Sequence, residues 1–521
     1  MFDKFVLLFN TLKHLKLSQI FWQFIYRLKG KRFLIRKQNN YAIHLLKISN
    51  KLVQSNKYLN NNCFRFLNLE KEFEKINWNF MSYGKLWNYN LEYFDYLRQN
   101  DLCKEEKLGL IHSFYDFSIE NKRILEPYPV SLRTINVISF CSTYDLKDDK
   151  VLNCLYQELD FLEKNLEYHI LGNHLLENGF ALLIGGAFYN EERWRIIAER
   201  LLLRELKEQI LADGAHFELS PMYHEIIFYR VLELIDWYDQ YENKNEAFLH
   251  EVKDIAVKME SFLRNIIFEN GDIPHFNDSS DDIAYTSNEL LNYFEILGLK
   301  SDLKSLNESG YRSMKNDDFE IKIDVAQLAV SYQPGHAHAD SLSFILYYKG
   351  KPFIVEQGTS TYQIDERRAV ERSSQAHNTV TIKRENHSEV WSGFRVGKRA
   401  FTQILKDETN YIKAQHDGYY KKYNVIHTRE YDFKTDFQIN DEMTIKSQYE
   451  SFLHFDASLS PYIENNMIKF KEIELQIFFE GESNIKLESY RLANGYNCYL
   501  DATRAVIMFD QTLQTIISRI Q

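Results

Sequence analysis

Cysteine, proline and glycine are scarce in this chain of 521 residues, at 5, 7 and 19. So little glycine and proline excludes a collagen-like or low-complexity chain. The cysteines, Cys63, Cys103, Cys141, Cys154 and Cys498, form no CxxC spacing and are odd in number, which argues against a disulfide scaffold or a zinc ribbon. No stretch approaches the roughly 18 uninterrupted apolar residues of a membrane span. Basic charge is in deficit, with 63 Lys and Arg against 74 Asp and Glu and a formal net charge of −11, so a general nucleic-acid binder is not expected. The start, MFDKFVLLFNTLKHLK, has no small-x-small cleavage site after it. The expected location is therefore cytoplasmic, including the inner face of a membrane, with the periplasm as the alternative.

Apolar residues, by contrast, make up 45% of the chain, enough for a large core and for two large domains or about three of ordinary size. Residues 1–75 read as a basic, aromatic helical segment. Within 4–37, Lys4, Lys13, Lys16, Arg27, Lys29, Lys31, Arg32, Arg36 and Lys37 interleave with Phe5, Leu8, Phe9, Phe21, Trp22, Phe24 and Tyr26. That mixture suits peripheral contact with an anionic membrane or a cap packed on the main domain. From 76 to 315, apolar residues recur every three or four positions, as in LNCLYQELDFLEKNLEYHIL and EIIFYRVLELIDWYDQY, and loops bearing Gly, Pro or Asn separate the runs. Successive helical hairpins are predicted. After the polar stretch 307–318 the period falls to two, so 319–521 is predicted to form antiparallel sheets packed as a sandwich.

The densest polar cluster is GHAHADS at 335–341, where His336 and His338 are two apart on a segment entering a strand and so face one side. They could be a base beside a metal ligand, a pair of ligands, or a polar sheet face. Glu356 and His377 follow on neighbouring segments, and two imidazoles with one carboxylate make a reasonable site for a borderline metal. In the helical region, Asn173, His174 and Glu177 in GNHLLENG and Tyr223 in HFELSPMYH could point into one cleft, or could be caps and buried hydrogen-bonding groups. Arg133 and Arg372 are candidates for holding a carboxylate through the guanidinium fork, or for structural ion pairs. These groups suit β-elimination from a uronic acid. An amide or imidazole neutralises the C5 carboxylate, His or Tyr removes the adjacent proton, and Tyr or His protonates the departing oxygen. A glycoside hydrolase on a similar toroid and a non-catalytic glycan-binding assembly protein are the competing readings. No pair of acidic residues stands out as hydrolysis would ask.

The blocks LWNYNLEYFDYL (86–97), EPYPVSLRTIN (126–136), GNHLLENGFALLIGGAF (172–188), HFELSPMYH (216–224), GHAHADSLSFILYYKGKPFIVEQGTSTY (335–362) and RSSQAHNTV (372–380) together resemble the heparinase II/III-like polysaccharide lyases. The resemblance implies an N-terminal (α/α) toroid followed by a C-terminal antiparallel β-sandwich, with the active site between them. It implies an acidic, uronate-containing polysaccharide as substrate. It places a carboxylate neutraliser at Asn173 assisted by His174, the acid or acid/base at Tyr223 and the base at His336. One structural divalent metal is implied on His338, Glu356 and His377, with zinc favoured over calcium or manganese. Glu356 stands where the family often shows Asp, and Glu92 where it shows His. Members without export signals resemble proteins of surface-polysaccharide assembly, which links this chain to capsule, exopolysaccharide or O-antigen metabolism.

Overall fold

The computed structural model describes residues 2–49, 51–52, 56–433, 437–481 and 483–520, with the side chains of 2–5 and 483 left aside. Lys4 and Phe5 of the basic segment thus lie outside the described side chains.

Two short helices, α1 (Phe2–Leu12) and α2 (Leu17–Leu28), precede the helical domain. That domain comprises α3 (Lys85–Tyr93), α4 (Lys104–Glu120), α5 (Pro127–Thr143), α6 (Asp149–Lys164), α7 (Gly172–Phe188), α8 (Glu192–Gln209), α9 (Pro221–Asp239), α10 (Glu246–Ile266) and α11 (Ser287–Ile296). Consecutive helices pack as hairpins, α5 on α6, α7 on α8 and α9 on α10, and α5 also packs along α7. Helix α7 is buried almost throughout, its polar Asn173, Glu177 and Asn178 included, which places it at the centre of the domain. At Gly185 an added Cβ would come within 2.5 Å of the Leu159 side chain, so glycine is what lets α7 lie tightly on α6.

The C-terminal half is antiparallel throughout its described strand pairs. Its largest sheet has eight strands in the order 402–408, 411–416, 427–432, 437–443, 512–519, 475–480, 467–470 and 461–464. Four-stranded sheets formed by 483–493, 499–509, 449–454 and 380–381, and by 311–315, 319–324, 344–348 and 351–354, share a core with it. Phe344, Leu346, Phe437, Ile439, Leu453, Ile507 and Ile517 meet in that core. The sheet of 311–315, 319–324, 344–348 and 351–354 also faces the helices: Tyr347 stacks on Phe268 with ring centroids 3.7 Å apart, and Tyr311 stacks on Phe276.

The boundaries differ from the sequence reading in three places. The 1–75 segment is helical only to Leu28; a hairpin pairs Cys63–Phe66 with Leu69–Glu72. The sandwich begins at Tyr311, since Tyr311–Lys315 pairs with Phe319–Asp324. The GHAHADS segment is not a strand but a loop ahead of Phe344.

Candidate active site

Four chain segments meet where the helical domain abuts the sandwich: the start of α7, the turn into α9, the loop around Asp278 and the GHAHADS loop. Leu171 and Leu219 both adopt positive φ, 66° and 54°, a conformation rare for leucine that re-aims the chain at each turn. Gly172, at φ 59°, completes the first turn; a Cβ there would fall 2.2 Å from Glu218 Oε1. Only glycine admits so close an approach of the helix start to that carboxylate. Ser220 caps α9 by accepting from the Tyr223 N–H, which fixes the tyrosine at the helix mouth.

Glu218 joins two of the candidate groups. It accepts from the Asn173 amide at 3.0 and 3.3 Å and from the Asn173 N–H at 3.3 Å, and lies 3.9 Å from His336 Nε2. Burial alone would raise its carboxyl, but His336, His216 and the Asn173 hydrogen bonds outweigh burial and hold it below the usual range. The Tyr223 ring lies over His336 with centroids 3.9 Å apart, and Tyr362 Oη donates to Tyr223 Oη at 3.3 Å. Burial keeps the Tyr223 hydroxyl protonated well above its ordinary range.

Behind His336 stands Asp278, buried and gripped by both terminal nitrogens of Arg368. Burial opposes ionisation here too, yet the Arg368 guanidinium and the two histidines hold the Asp278 carboxyl well below its usual range. An ionised carboxylate can only accept, so His336 donates to it from Nδ1 at 3.0 Å. That leaves His336 Nε2 as the ring nitrogen not engaged by Asp278, 3.9 Å from the Glu218 carboxylate.

The structure therefore brings Asn173, Tyr223 and His336 together. His174 flanks them, half-buried, with Nδ1 3.2 Å from Glu167 and its ring 4.1 Å from that of Tyr128. Three other candidates for substrate binding are corrected. Arg133 is 1% exposed and bonds Glu158 and the Glu92 carbonyl inside the domain. Arg372 is equally buried and donates to the carbonyls of Ala337 and Gly393. Glu177 pairs with Arg230, its carboxylate turned into the core. All three are spent on the scaffold.

The candidate metal residues are neighbours. His377 Nδ1 contacts Glu356, which also accepts from Ser343, and the His338 and His377 ring centroids are 5.3 Å apart. As they stand, His338, Glu356 and His377 are not disposed as a ligand triad: among the described residues no three His, Cys, Asp or Glu side chains are arranged to hold an ion. His338 instead donates from Nε2 to Asp278 at 2.8 Å. Its Nδ1, His377 Nε2 and Asp340 Oδ2 are buried without a hydrogen-bond partner.

Glu218, Asp278, Arg368 and Tyr362 were missed in the sequence. Glu218 lies inside the HFELSPMYH block, five residues ahead of Tyr223. Asp278 sits in a loop rich in Asn, Asp and Ser that reads only as a turn, and nothing local marks Arg368 as its partner.

Two family models match: "Heparinase II/III N-terminus" over residues 129–304 and "Heparinase II/III-like, C-terminal" over 298–492. A heparin-sulfate lyase of Bacteroides stercoris is 25% identical over 354 residues, 62% of this chain and 51% of that protein. One of Pedobacter heparinus is 26% identical over 345 residues, 58% of this chain and 49% of that protein. The chain thus spans about half the length of the curated relatives it matches. Among solved structures, heparinase III superposes with a TM-score of 0.67 at 18% identity, covering 96% of this chain and 89% of that one. A mutant heparan sulfate lyase of Pedobacter heparinus gives 0.60 at 18% identity, covering 88% and 81%. These structures share the toroid followed by a β-sandwich seen here. With its two halves matched in order and folded in this way, the chain belongs to the heparinase II/III family.

Proposed function

We propose that the protein is a polysaccharide lyase that cleaves an acidic, uronate-containing polysaccharide by β-elimination. The observation that carries this reading is the convergence of Asn173, Tyr223 and His336 at one cleft, with His336 Nε2 not engaged by Asp278. The relatives named as heparin-sulfate lyases agree with it in class.

In this mechanism Asn173, with His174 beside it, hydrogen-bonds the uronate carboxylate as negative charge develops there. Glu218 positions the Asn173 amide. His336 Nε2 takes the C5 proton, and Asp278 steadies the imidazolium that results. The electron pair from the broken C–H bond forms the C4–C5 double bond as the C4–O bond breaks. Tyr223, which keeps its proton until then, delivers it to the leaving oxygen. The products are an unsaturated uronate end and a new hydroxyl end. No water is consumed.

A divalent ion is part of the proposal. His338 Nδ1, His377 Nε2 and Asp340 Oδ2 are buried and unpartnered and Glu356 is the acidic group already against His377, but among the described residues no three such side chains stand arranged to hold an ion, so loading would have to draw them together. His338, His377 and Glu356 would hold it, and zinc best suits imidazole donors. Its contribution would be to stability of the loop that carries His336. The narrower reading, that the polymer is a capsule, exopolysaccharide or O-antigen chain, goes with the same site. Incubating the protein with a panel of such polymers and with heparan sulfate, and following ultraviolet absorbance of the unsaturated end, tests both. New reducing ends without that absorbance would mean hydrolysis instead.

A further inference from the structure

We propose that α1, α2 and the segment 31–37 form a docking face for the surface of an anionic lipid bilayer. The inference is independent of the reaction assigned to the cleft.

Helix α2 is built inside out. It packs on the protein through its polar and aromatic side: Gln19 is buried and donates to the Tyr332 carbonyl at 3.3 Å, Trp22 stacks on Tyr168 and Tyr26 stacks on His169. The opposite side holds Leu17, Ile20, Phe21, Phe24 and Leu28, which are 84%, 47%, 56%, 61% and 68% exposed. Their spacing of three, four, seven and eleven from Leu17 puts all five on one stripe of the helix. A soluble amphipathic helix turns such a stripe to the core, and this one turns it to solvent. Helix α1 repeats the arrangement on a smaller scale, with Leu8, Phe9 and Leu12 exposed and Asn10 buried. So does 31–37, where Phe33 and Ile35 stand exposed among Lys31, Arg32, Arg36 and Lys37.

The charge around these side chains selects the occupant. Between residues 4 and 69 there are 13 Lys and Arg and no Asp or Glu, in a chain whose formal net charge is −11. Lys16 and Lys29 are used to anchor α2, to Glu208 and to the Lys164 carbonyl. Lys13, Arg27 and the four bases of 31–37 remain exposed. A second copy of the chain would set these cations against their own kind, and an acidic polymer would leave the aromatic and aliphatic side chains without a partner. Anionic headgroups over acyl chains satisfy both. No described helix is long and apolar enough to cross a membrane, so α2, at about 18 Å, would lie in the interface plane.

The test is flotation of the full chain with vesicles of phosphatidylcholine containing about one third phosphatidylglycerol, and with phosphatidylcholine alone, at low and high salt. We expect capture by the anionic vesicles that weakens with salt, and little capture by the neutral ones. Phe21→Asp with Phe24→Asp, and separately neutralisation of Lys31, Arg32, Arg36 and Lys37 to Gln, should each lower the bound fraction about tenfold or more. Thermal stability should not change, because these side chains touch solvent. The salt and lipid dependence of the unaltered protein tests the proposal even if a variant folds poorly. It would be overturned by no flotation, by flotation undiminished in both variants, or by a sedimenting dimer broken by Phe21→Asp with Phe24→Asp that ignores vesicles. Retention by an acidic polysaccharide matrix without vesicle binding would overturn it as well.

Discussion

Asp278 holds two histidines at once, accepting from His336 Nδ1 on one oxygen and from His338 Nε2 on the other. Residues two apart in sequence thereby engage it through opposite ring nitrogens, which leaves Nε2 of one and Nδ1 of the other outside the contact. Asp278→Asn should disturb both, because an amide can donate where the carboxylate only accepted. We expect elimination to fall by about 10²-fold or more. The acidic limb of its pH profile should move, whereas a merely structural defect would scale the profile without moving it.

Tyr223→Phe removes a proton donor and keeps a ring packed on His336. A folded variant should lose about 10²-fold or more in kcat with a smaller change in KM. His336→Ala should lose a comparable factor. Full activity in both variants on the true polymer would defeat the assignment.

Arg133→Ala should act on stability and leave chemistry alone. It strands Glu158 and weakens the environment of Glu92, both buried. Breaking a buried pair by removing one partner costs about 3–5 kcal/mol. Urea denaturation should show that loss, while KM at a temperature where the variant is folded should stay put.

Stability should fall on both sides of neutrality. Burial lowers His216 to about 4 and His224 and His387 to about 3. The unfolded chain therefore binds protons that the folded one refuses as pH drops below about 6.5, and stability is lost across the window down to about 3. Each site contributes up to about 1.4 kcal/mol per pH unit. Glu225 works the other way: burial raises it to about 8, so its contribution is complete below the unfolded value and fades as pH rises through 8. Glu225→Gln should remove the fall in stability that this group imposes between about pH 4.5 and 8, and leave a urea-midpoint profile unchanged below about pH 4.

Zinc should raise the melting temperature of metal-stripped protein, and chelation should lower it again. His338→Ala should abolish the response. A melting temperature indifferent to zinc, calcium and manganese would leave the buried imidazoles as scaffold.

Much of this was legible in the sequence, for particular reasons. The period change near 307–320 located the join between helices and sheets because a strand and a helix bury different spacings of the same apolar residues. Asn173, Tyr223 and His336 could be picked out because each lies in a compact polar block between apolar runs. Arg133 misled for the opposite reason. Its helix, α5, is buried on nearly every side, polar residues included, and residue spacing does not reveal that one guanidinium is balanced by Glu158 from the next helix. Asp278 was invisible because its role comes from Arg368, 90 residues further on, and only the fold makes them neighbours. The outward face of α2 escaped likewise: periodicity shows that a stripe exists, not which way it points.

The stacking of Phe268 on Tyr347 and of Phe276 on Tyr311 gives the two halves a common interior, in which Ile345 and Tyr347 of the sandwich belong to the same apolar cluster as the helices. The toroid and the sandwich are consequently not modules that could be exchanged or expressed apart. They should melt in a single transition, with the spacing between Asn173 on one side and His336 on the other set as the chain folds.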